Sequence, residues 1–270
     1  MSLRDAIWQT ILAVPFGFWH GLTWLGDSGL LVPAAFFIGL WLLVSRRTWH
    51  TAFLWLVLFG SASALVLLTK LAFLGWGIGS ARFNFTGISG HTMLSASVWP
   101  VALWLAAARA GHRWRVTMAT VGWLLAWAIG LSRLALLAHS VSEVASGLLL
   151  GTATSAAFLA AQRRLPHPAP RASLVLLTLL LPLTLFPPGH AAPTQGLLER
   201  IATRVAGIER PFTRDDLACR SVPARGAVSP SDTPAGRTCD LSTPAARAAK
   251  LPSIIRPHPM TPVEVPGETS

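Results

Sequence analysis

The feature of this sequence that most constrains its fold is a series of long apolar runs. Six of them, at about 7–25, 28–45, 51–76, 92–109, 116–138 and 143–161, approach or exceed the ~20 helical residues that cross a hydrocarbon core. Charged residues make up only 12% of the 270 residues, whereas about 25% is usual in a soluble domain. Because lipid cannot satisfy free backbone polar groups, these runs predict an all-α, polytopic membrane helix bundle with six core transmembrane helices.

The chain is predicted to have four successive parts. They are the first two transmembrane helices (1–50), a core of four helices (51–165), a possible seventh helix (166–190) and a polar C-terminal tail (191–270). The seventh run is short and ends in prolines. The tail starts with an amphipathic stretch at 195–210 that suits a membrane surface, and from about 220 its composition is typical of disorder.

The net charge of +11 indicates how the chain is oriented in the membrane, and it does not indicate nucleic-acid binding. The basic residues are spread between the apolar spans and through the tail and do not form one basic face. Three basic loops follow spans two, four and six: Arg46, Arg47 and His50; Arg109, His112, Arg113 and Arg115; Arg163, Arg164 and Arg171. The positive-inside rule places these loops, with Arg4, in the cytoplasm. The loop around Asp27 and the segments 77–91 and 139–142 are then extracytoplasmic, and a bacterial inner (plasma) membrane is the expected location.

Three ionisable residues are predicted to share one depth near the outer ends of their helices. Lys70 lies 18 residues beyond Ala52, and Arg133 lies 18 residues beyond Arg115, which is roughly 27 Å of helix in each case. Glu143 precedes Arg163 by 20 residues, roughly 30 Å. Charged groups in apolar spans are costly, so each is a candidate functional residue.

Each of these residues also has a purely structural explanation. Lys70 can snorkel from a helix end, and Arg133 can anchor its helix at the interface. Glu143 fits the last position of a capping box that begins at Ser140. None of these explanations accounts for the fact that the three residues are predicted to share one depth with two histidines, His91 and His139.

The histidines complete a candidate site for a phosphoryl group. Ser89 and Gly90 precede His91 at the start of a span, where free N–H groups favour anions. His139 stands four residues before Glu143, so the carboxylate can orient the imidazole. No Cys, His and carboxylate set has metal-ligand spacing, so neither a metal nor another cofactor is expected.

The pattern resembles the type 2 phosphatidic acid phosphatase (PAP2) superfamily, whose motifs are K-x6-R-P, P-S-G-H and S-R-x5-H-x3-D. Here the third motif runs from Ser132-Arg133 to His139 and Glu143 with both spacings intact, and the second is Ser89-Gly90-His91 after an isoleucine. The resemblance covers about residues 50–160. It implies that His139 is the nucleophile, oriented by Glu143, and that His91 protonates the leaving alcohol. It also implies that Lys70, Ser89, Gly90 and Arg133 bind the phosphoryl oxygens.

The sequence departs from the family motifs at three positions. Lys70 stands for the lysine of the first motif, so the arginine of that motif would fall at Gly77. Arg82 in the same loop is a candidate replacement. Glu143 stands in place of aspartate, and Ile88 in place of the proline of the second motif. These departures affect the expected efficiency and substrate class more than the mechanism.

The expected activity is hydrolysis of a lipid phosphomonoester or pyrophosphate through a phosphohistidine at the extracytoplasmic face. The expected partners are the lipid phosphate and membrane lipids, with no nucleic acid and no obligate protein partner. A phosphotransferase or a non-hydrolytic, lipid-phosphate-binding relative is the alternative. A transporter would carry its charges at the midplane and an internal repeat, and neither is found. Cys219 and Cys239 fit either a disulfide or two free thiols.

Overall fold

The computed structural model describes residues 14–43, 48–162, 173, 175, 177 and 194–220, and these are helical with short connections and no β-strand. The helices are α1 (Phe16–Trp24), α2 (Ser28–Leu43), α3 (Trp49–Trp76), α4 (Gly90–Ala106), α5 (His112–Ala135), α6 (Val141–Ala161), α7 (Thr194–Ala206) and α8 (Arg214–Arg220). The chain divides into two compact units, Met1–Arg214 and Asp215–Ser270. The prediction of an all-α membrane helix bundle is confirmed.

The expected number of six spanning helices is not confirmed. Within the described residues, four segments are long and apolar enough to cross a membrane: Phe16–Leu43, Trp49–Trp76, His112–Ala135 and Val141–Ala161. The first two predicted spans correspond to α1 and α2, which follow one another through a break at 25–27 and count as one apolar segment. The fourth predicted span is α4, a largely buried helix of 17 residues.

Helix α4 is the centre of the first unit and packs against α2, α3, α5 and α6. Small residues permit the close approach to α6, where a Cβ on Gly147 would lie 2.7 Å from the Ser89 carbonyl oxygen. Buried polar groups bond between helices: Ser155 Oγ donates to the Ala96 carbonyl at 2.7 Å, and Trp123 Nε1 donates to Ser155 Oγ at 3.0 Å. These contacts fix α4, α5 and α6 as the frame of the site.

The amphipathic stretch of the tail forms α7, which packs on the end of α3. Leu198 and Ala202 are buried, whereas Leu197, Ile201 and Val205 remain exposed. A Cβ on Gly75 of α3 would lie 3.2 Å from Ala206 Cβ, so the two helices are in close contact there. The proposed seventh span and Cys239 lie outside the described residues, apart from helical positions 173, 175 and 177.

Candidate active site

His139 and Glu143 form the pair that their spacing predicts. His139 lies in the connection from α5 to α6, and its Nδ1 is 2.8 Å from Oε2 of Glu143 in the first turn of α6. An ionised carboxylate only accepts hydrogen bonds, so Nδ1 carries the hydrogen and donates it. The other ring nitrogen, Nε2, is then the basic one. The His139 side chain is 14% exposed and Glu143 is fully buried, so the pair sits at the edge of the protein interior.

The connection that presents His139 is a tight turn at the end of α5. The Ala138 and His139 amides both donate to the Arg133 carbonyl, at 3.0 and 3.3 Å. Leu137 takes a positive φ of 52° to make this turn, a conformation that costs a non-glycine residue energy. The turn places His139 six residues beyond Arg133, which lies in the last turn of α5.

Glu143 is held by several fixed donors. Its Oε1 accepts from the amide and hydroxyl of Thr86, at 2.7 and 2.6 Å. Its Oε2 accepts from the Ser140 amide at 3.2 Å, and Ser140 Oγ accepts from the Glu143 amide in return, which completes a capping box. The carboxylate therefore caps α6 and contacts His139 at the same time.

Arg214 is a site residue that sequence reasoning missed. Its Nη2 lies 2.6 Å from Glu143 Oε2, and its Nη1 donates to the carbonyl and side-chain oxygens of Asn84 at 3.2 and 3.0 Å. The residue follows α7, 71 positions beyond Glu143 in the chain. Nothing in its local sequence distinguishes it from the other tail arginines, so only the fold reveals it.

Asp27 also belongs to the site. Its Oδ2 lies 3.6 Å from Nε2 of His91, the second residue of α4. The start of α4 is tied to α6 because the Ser89 amide donates to the Glu143 carbonyl at 3.1 Å. Asp27 is an acidic residue in a loop predicted to lie at the outer surface, and that position was the one sequence signal available for it.

The cations Lys70 and Arg133 lie near enough to the pair to interact with it. Both act electrostatically on His139. Arg133 Nη1 donates to Thr23 Oγ1 at 2.9 Å, while its buried Nε–H has no partner among the described residues. Gly87 lies against Lys70, and a Cβ there would be 3.2 Å from Lys70 Cγ. An unpaired buried donor on one cation, with a second cation nearby, is suited to an anion.

The predicted site residues Ser89 and Arg82 direct their side chains to other neighbours, and Gly77, at the position of the motif arginine, has no side chain to contribute. Ser89 is fully buried, and its hydroxyl pairs with Thr92 Oγ1 at 2.9 Å, although its backbone is the N-cap of α4 and leads into Gly90. Gly77 ends α3 with φ 65°, where a side chain would be strained. Arg82 is exposed, and its guanidinium carbon lies 5.5 Å from the Phe83 ring centroid. No hydrogen bond or ion pair found in the described residues links Arg82 to the other predicted site residues.

The electrostatics suit His139 for nucleophilic attack. Burial lowers the pKa of His139 from its ordinary value of 6.5, and the positive charges of Arg133 and Lys70 act in the same direction. The hydrogen bond to Glu143 and the charge of Glu143 oppose this shift. The neutral imidazole is thus the favoured form near neutral pH, with its tautomer set by Glu143.

Comparison with known proteins identifies the family. The PAP2 superfamily matches residues 70–166, a range that begins at Lys70 and contains both histidines and Glu143. An uncharacterized 22.5 kDa protein in the cps region of Klebsiella pneumoniae is 43% identical over 202 residues, which cover 74% of this chain and 97% of that protein. No solved structure matches the chain significantly. The chain belongs to the PAP2 superfamily.

Proposed function

We propose that this protein is a membrane lipid phosphatase that hydrolyses a phosphomonoester or pyrophosphate of a lipid through a phosphohistidine at His139. Membership of the PAP2 superfamily supports a phosphatase-type function in general. The observation that carries the finer proposal is the 2.8 Å contact between His139 Nδ1 and buried Glu143, which leaves Nε2 as the nucleophile beside two cations.

The first chemical step forms a bond from His139 Nε2 to phosphorus and breaks the bond from phosphorus to the leaving oxygen. His91 gives its proton to that oxygen, so a lipid alcohol leaves neutral, and a lipid phosphate from a pyrophosphate leaves as its singly protonated anion. Asp27, 3.6 Å from His91 Nε2, orients this ring and balances its positive charge. Lys70 and Arg133 stabilise the charge on the phosphoryl oxygens.

The second step is hydrolysis of the phosphohistidine. Water attacks phosphorus, the bond from phosphorus to Nε2 breaks, and His91 takes the proton that the water loses. Inorganic phosphate leaves, and both histidines return to their starting protonation states. Glu143 holds the same Nδ1 hydrogen throughout, so His139 keeps one tautomer.

A lipid substrate is favoured by the position of the site along the helices. His139 and Glu143 lie beside the ends of apolar helices, and Lys70 lies six residues before the end of α3, a helix with several exposed leucines. A headgroup can therefore reach the site while its acyl chains stay in the bilayer. The basic residues Arg113 and Arg115 begin α5, roughly 27 Å of helix from Arg133, which favours an extracytoplasmic site in a bacterial inner membrane.

The test is phosphate release from a panel of lipid monophosphates and pyrophosphates by detergent-purified protein. We expect release by wild type, loss of at least about a thousandfold in His139→Ala, and little change in His50→Ala, an exposed histidine at the start of α3. Substrate labelled with ³²P should also leave an acid-labile adduct that is absent from His139→Ala.

No release from any lipid by wild-type protein would contradict the hydrolase proposal. Transfer of the label to an added lipid alcohol would then identify a phosphotransferase instead. Binding without release or transfer would identify a non-hydrolytic relative.

A further inference from the structure

We infer that Arg214, delivered by the C-terminal tail, is a substrate-binding residue that moves from Glu143 to the phosphoryl group of the bound substrate. This inference rests on the proposed function, because it concerns the same anion site. The part of the tail that carries Arg214, Thr194–Arg214, is called the tail segment below.

The tail segment is attached to the core at two described places. Leu198 and Ala202 of α7 are buried, and α7 packs on α3 beside Gly75. The Phe212 amide donates to the Leu74 carbonyl at 2.9 Å, two residues before Arg214. Arg214 is therefore brought to the site by a defined packing arrangement of the backbone.

Glu143 does not need Arg214 to satisfy its hydrogen bonding. Glu143 receives five hydrogen-bond donors, although a carboxylate offers about four lone-pair sites. Four of these donors are the Thr86 amide and hydroxyl, the Ser140 amide and His139, all on short or fixed groups. The fifth is the long arginine side chain, so its departure leaves the carboxylate fully hydrogen-bonded.

Arg214 is close to the imidazole of His139, the ring that would bond to the phosphorus through Nε2. Its Nη2 and the His139 Nδ1 contact the same Glu143 oxygen, at 2.6 and 2.8 Å, so they are separated by no more than the sum of these two distances. The Arg214 side chain is 36% exposed and has room to turn. A guanidinium can bind two oxygens of a phosphate at once, and these charged contacts offset the loss of the shared Glu143 oxygen and of the two Asn84 oxygens that Nη1 now contacts.

The balance of charges at the site favours a third cation on the bound phosphoryl group. Without Arg214, the cations Lys70 and Arg133 are matched by the carboxylates of Asp27 and Glu143. A phosphomonoester carries about −1.5 to −2 near pH 7. Arg214 raises the summed charge of this set from zero to +1 before substrate arrives, in addition to the proton that His91 donates in the first step. Gly77 has no side chain to do so, and Arg82 points to the Phe83 ring.

The experiment compares Arg214→Gln and Arg214→Lys with Arg204→Gln, an exposed arginine on α7. Two quantities are measured in detergent: kcat/KM with the best lipid phosphate, and the Kd for inorganic phosphate by isothermal titration calorimetry. We expect Arg214→Gln to lose about 10- to 100-fold in kcat/KM and at least about tenfold in phosphate affinity, Arg214→Lys to lose less, and Arg204→Gln to stay within about twofold. Added guanidinium should partly restore Arg214→Ala and not Arg204→Ala.

The outcomes separate this inference from the proposed function. Wild-type kcat/KM and phosphate affinity in Arg214→Gln would overturn the inference and leave the phosphatase proposal standing. Lost activity with unchanged phosphate affinity and no guanidinium rescue would also overturn it, because Arg214 would then act only on Glu143 or on stability. If wild-type protein hydrolyses no lipid, the proposed function fails, and the phosphate titrations of the same variants still decide the role of Arg214.

Discussion

Glu143 shows how one residue serves both local structure and the site. Its capping box with Ser140 and its contact with His139 looked like competing explanations in the sequence, yet one side chain makes both. The cap places the carboxylate at the first turn of α6, and the turn at Leu137 brings the imidazole to it. The same interaction that starts the helix therefore also orients the histidine.

The titration of His139 tests this arrangement. Burial lowers the pKa of His139, so we expect its ring to lose its proton at a pH below 6.5 and to be neutral above that pH. Glu143 acts in the opposite direction, so Glu143→Gln should lower the midpoint further. The midpoint is measured from the ¹³C shifts of labelled histidine in detergent micelles as the pH is varied. The His139 signal is assigned as the one that is absent from the His139→Gln variant.

A midpoint at or above 6.5 in the wild type, or a higher midpoint in Glu143→Gln, would contradict the electrostatic description.

At the scale of helices, the site depends on how closely α4 and α6 approach. The Ser89 amide donates to the Glu143 carbonyl, and Gly147 on the next turn of α6 faces the same stretch of α4. His91 is two residues beyond Ser89, so the spacing of these helices sets its position relative to His139. In a membrane such contacts come from packing of small residues, because lipid provides no hydrophobic drive between helices.

Gly147→Ala is expected to disturb this contact. The added Cβ would lie 2.7 Å from the Ser89 carbonyl oxygen and 3.1 Å from Thr92 Cβ, so the helices must separate at a cost of about 1–3 kcal/mol. The unfolding temperature in detergent and the rate of phosphate release should both fall. Gly60→Ala is the matched control, since nothing lies within 4 Å of its Cβ position.

Equal unfolding temperatures and rates for the two alanine variants would show that the α4–α6 contact tolerates a methyl group. The positioning of His91 would then need another explanation.

At the scale of the whole molecule, the basic end of α5 and the candidate site lie at opposite ends of the same helix. His112, Arg113 and Arg115 are at its start, and Arg133 is in its last turn. If the positive-inside rule applies to this chain, the two ends face different compartments. The orientation is therefore a property that labelling in cells can test.

A membrane-impermeant maleimide is expected to label the two ends differently. In a variant with Cys219 and Cys239 replaced by serine, Phe83→Cys marks the loop at the site, and Gly111→Cys marks the start of α5. We expect labelling of Phe83→Cys in intact cells and of Gly111→Cys only after permeabilisation. The reverse pattern would place the site in the cytoplasm and contradict the proposed location.

The sequence by itself determined the class of the protein and most of the candidate site. Long apolar runs can only be helices in lipid, and the spacing from His139 to Glu143 is one helical turn, so both inferences follow from local geometry. Lys70, Arg133 and Glu143 were predicted to share one depth because helix rise converts residue number into distance along a helix.

Only the tertiary structure decided which distant residues join them. Arg214 and Asp27 reach the site through the packing of the tail segment on α3 and through the start of α2, and no local pattern encodes either contact. Gly77 ends α3 in a left-handed turn, while Arg82 is turned to Phe83. Local sequence sets helices and spacings within them, whereas contacts between residues far apart in the chain depend on how the helices pack.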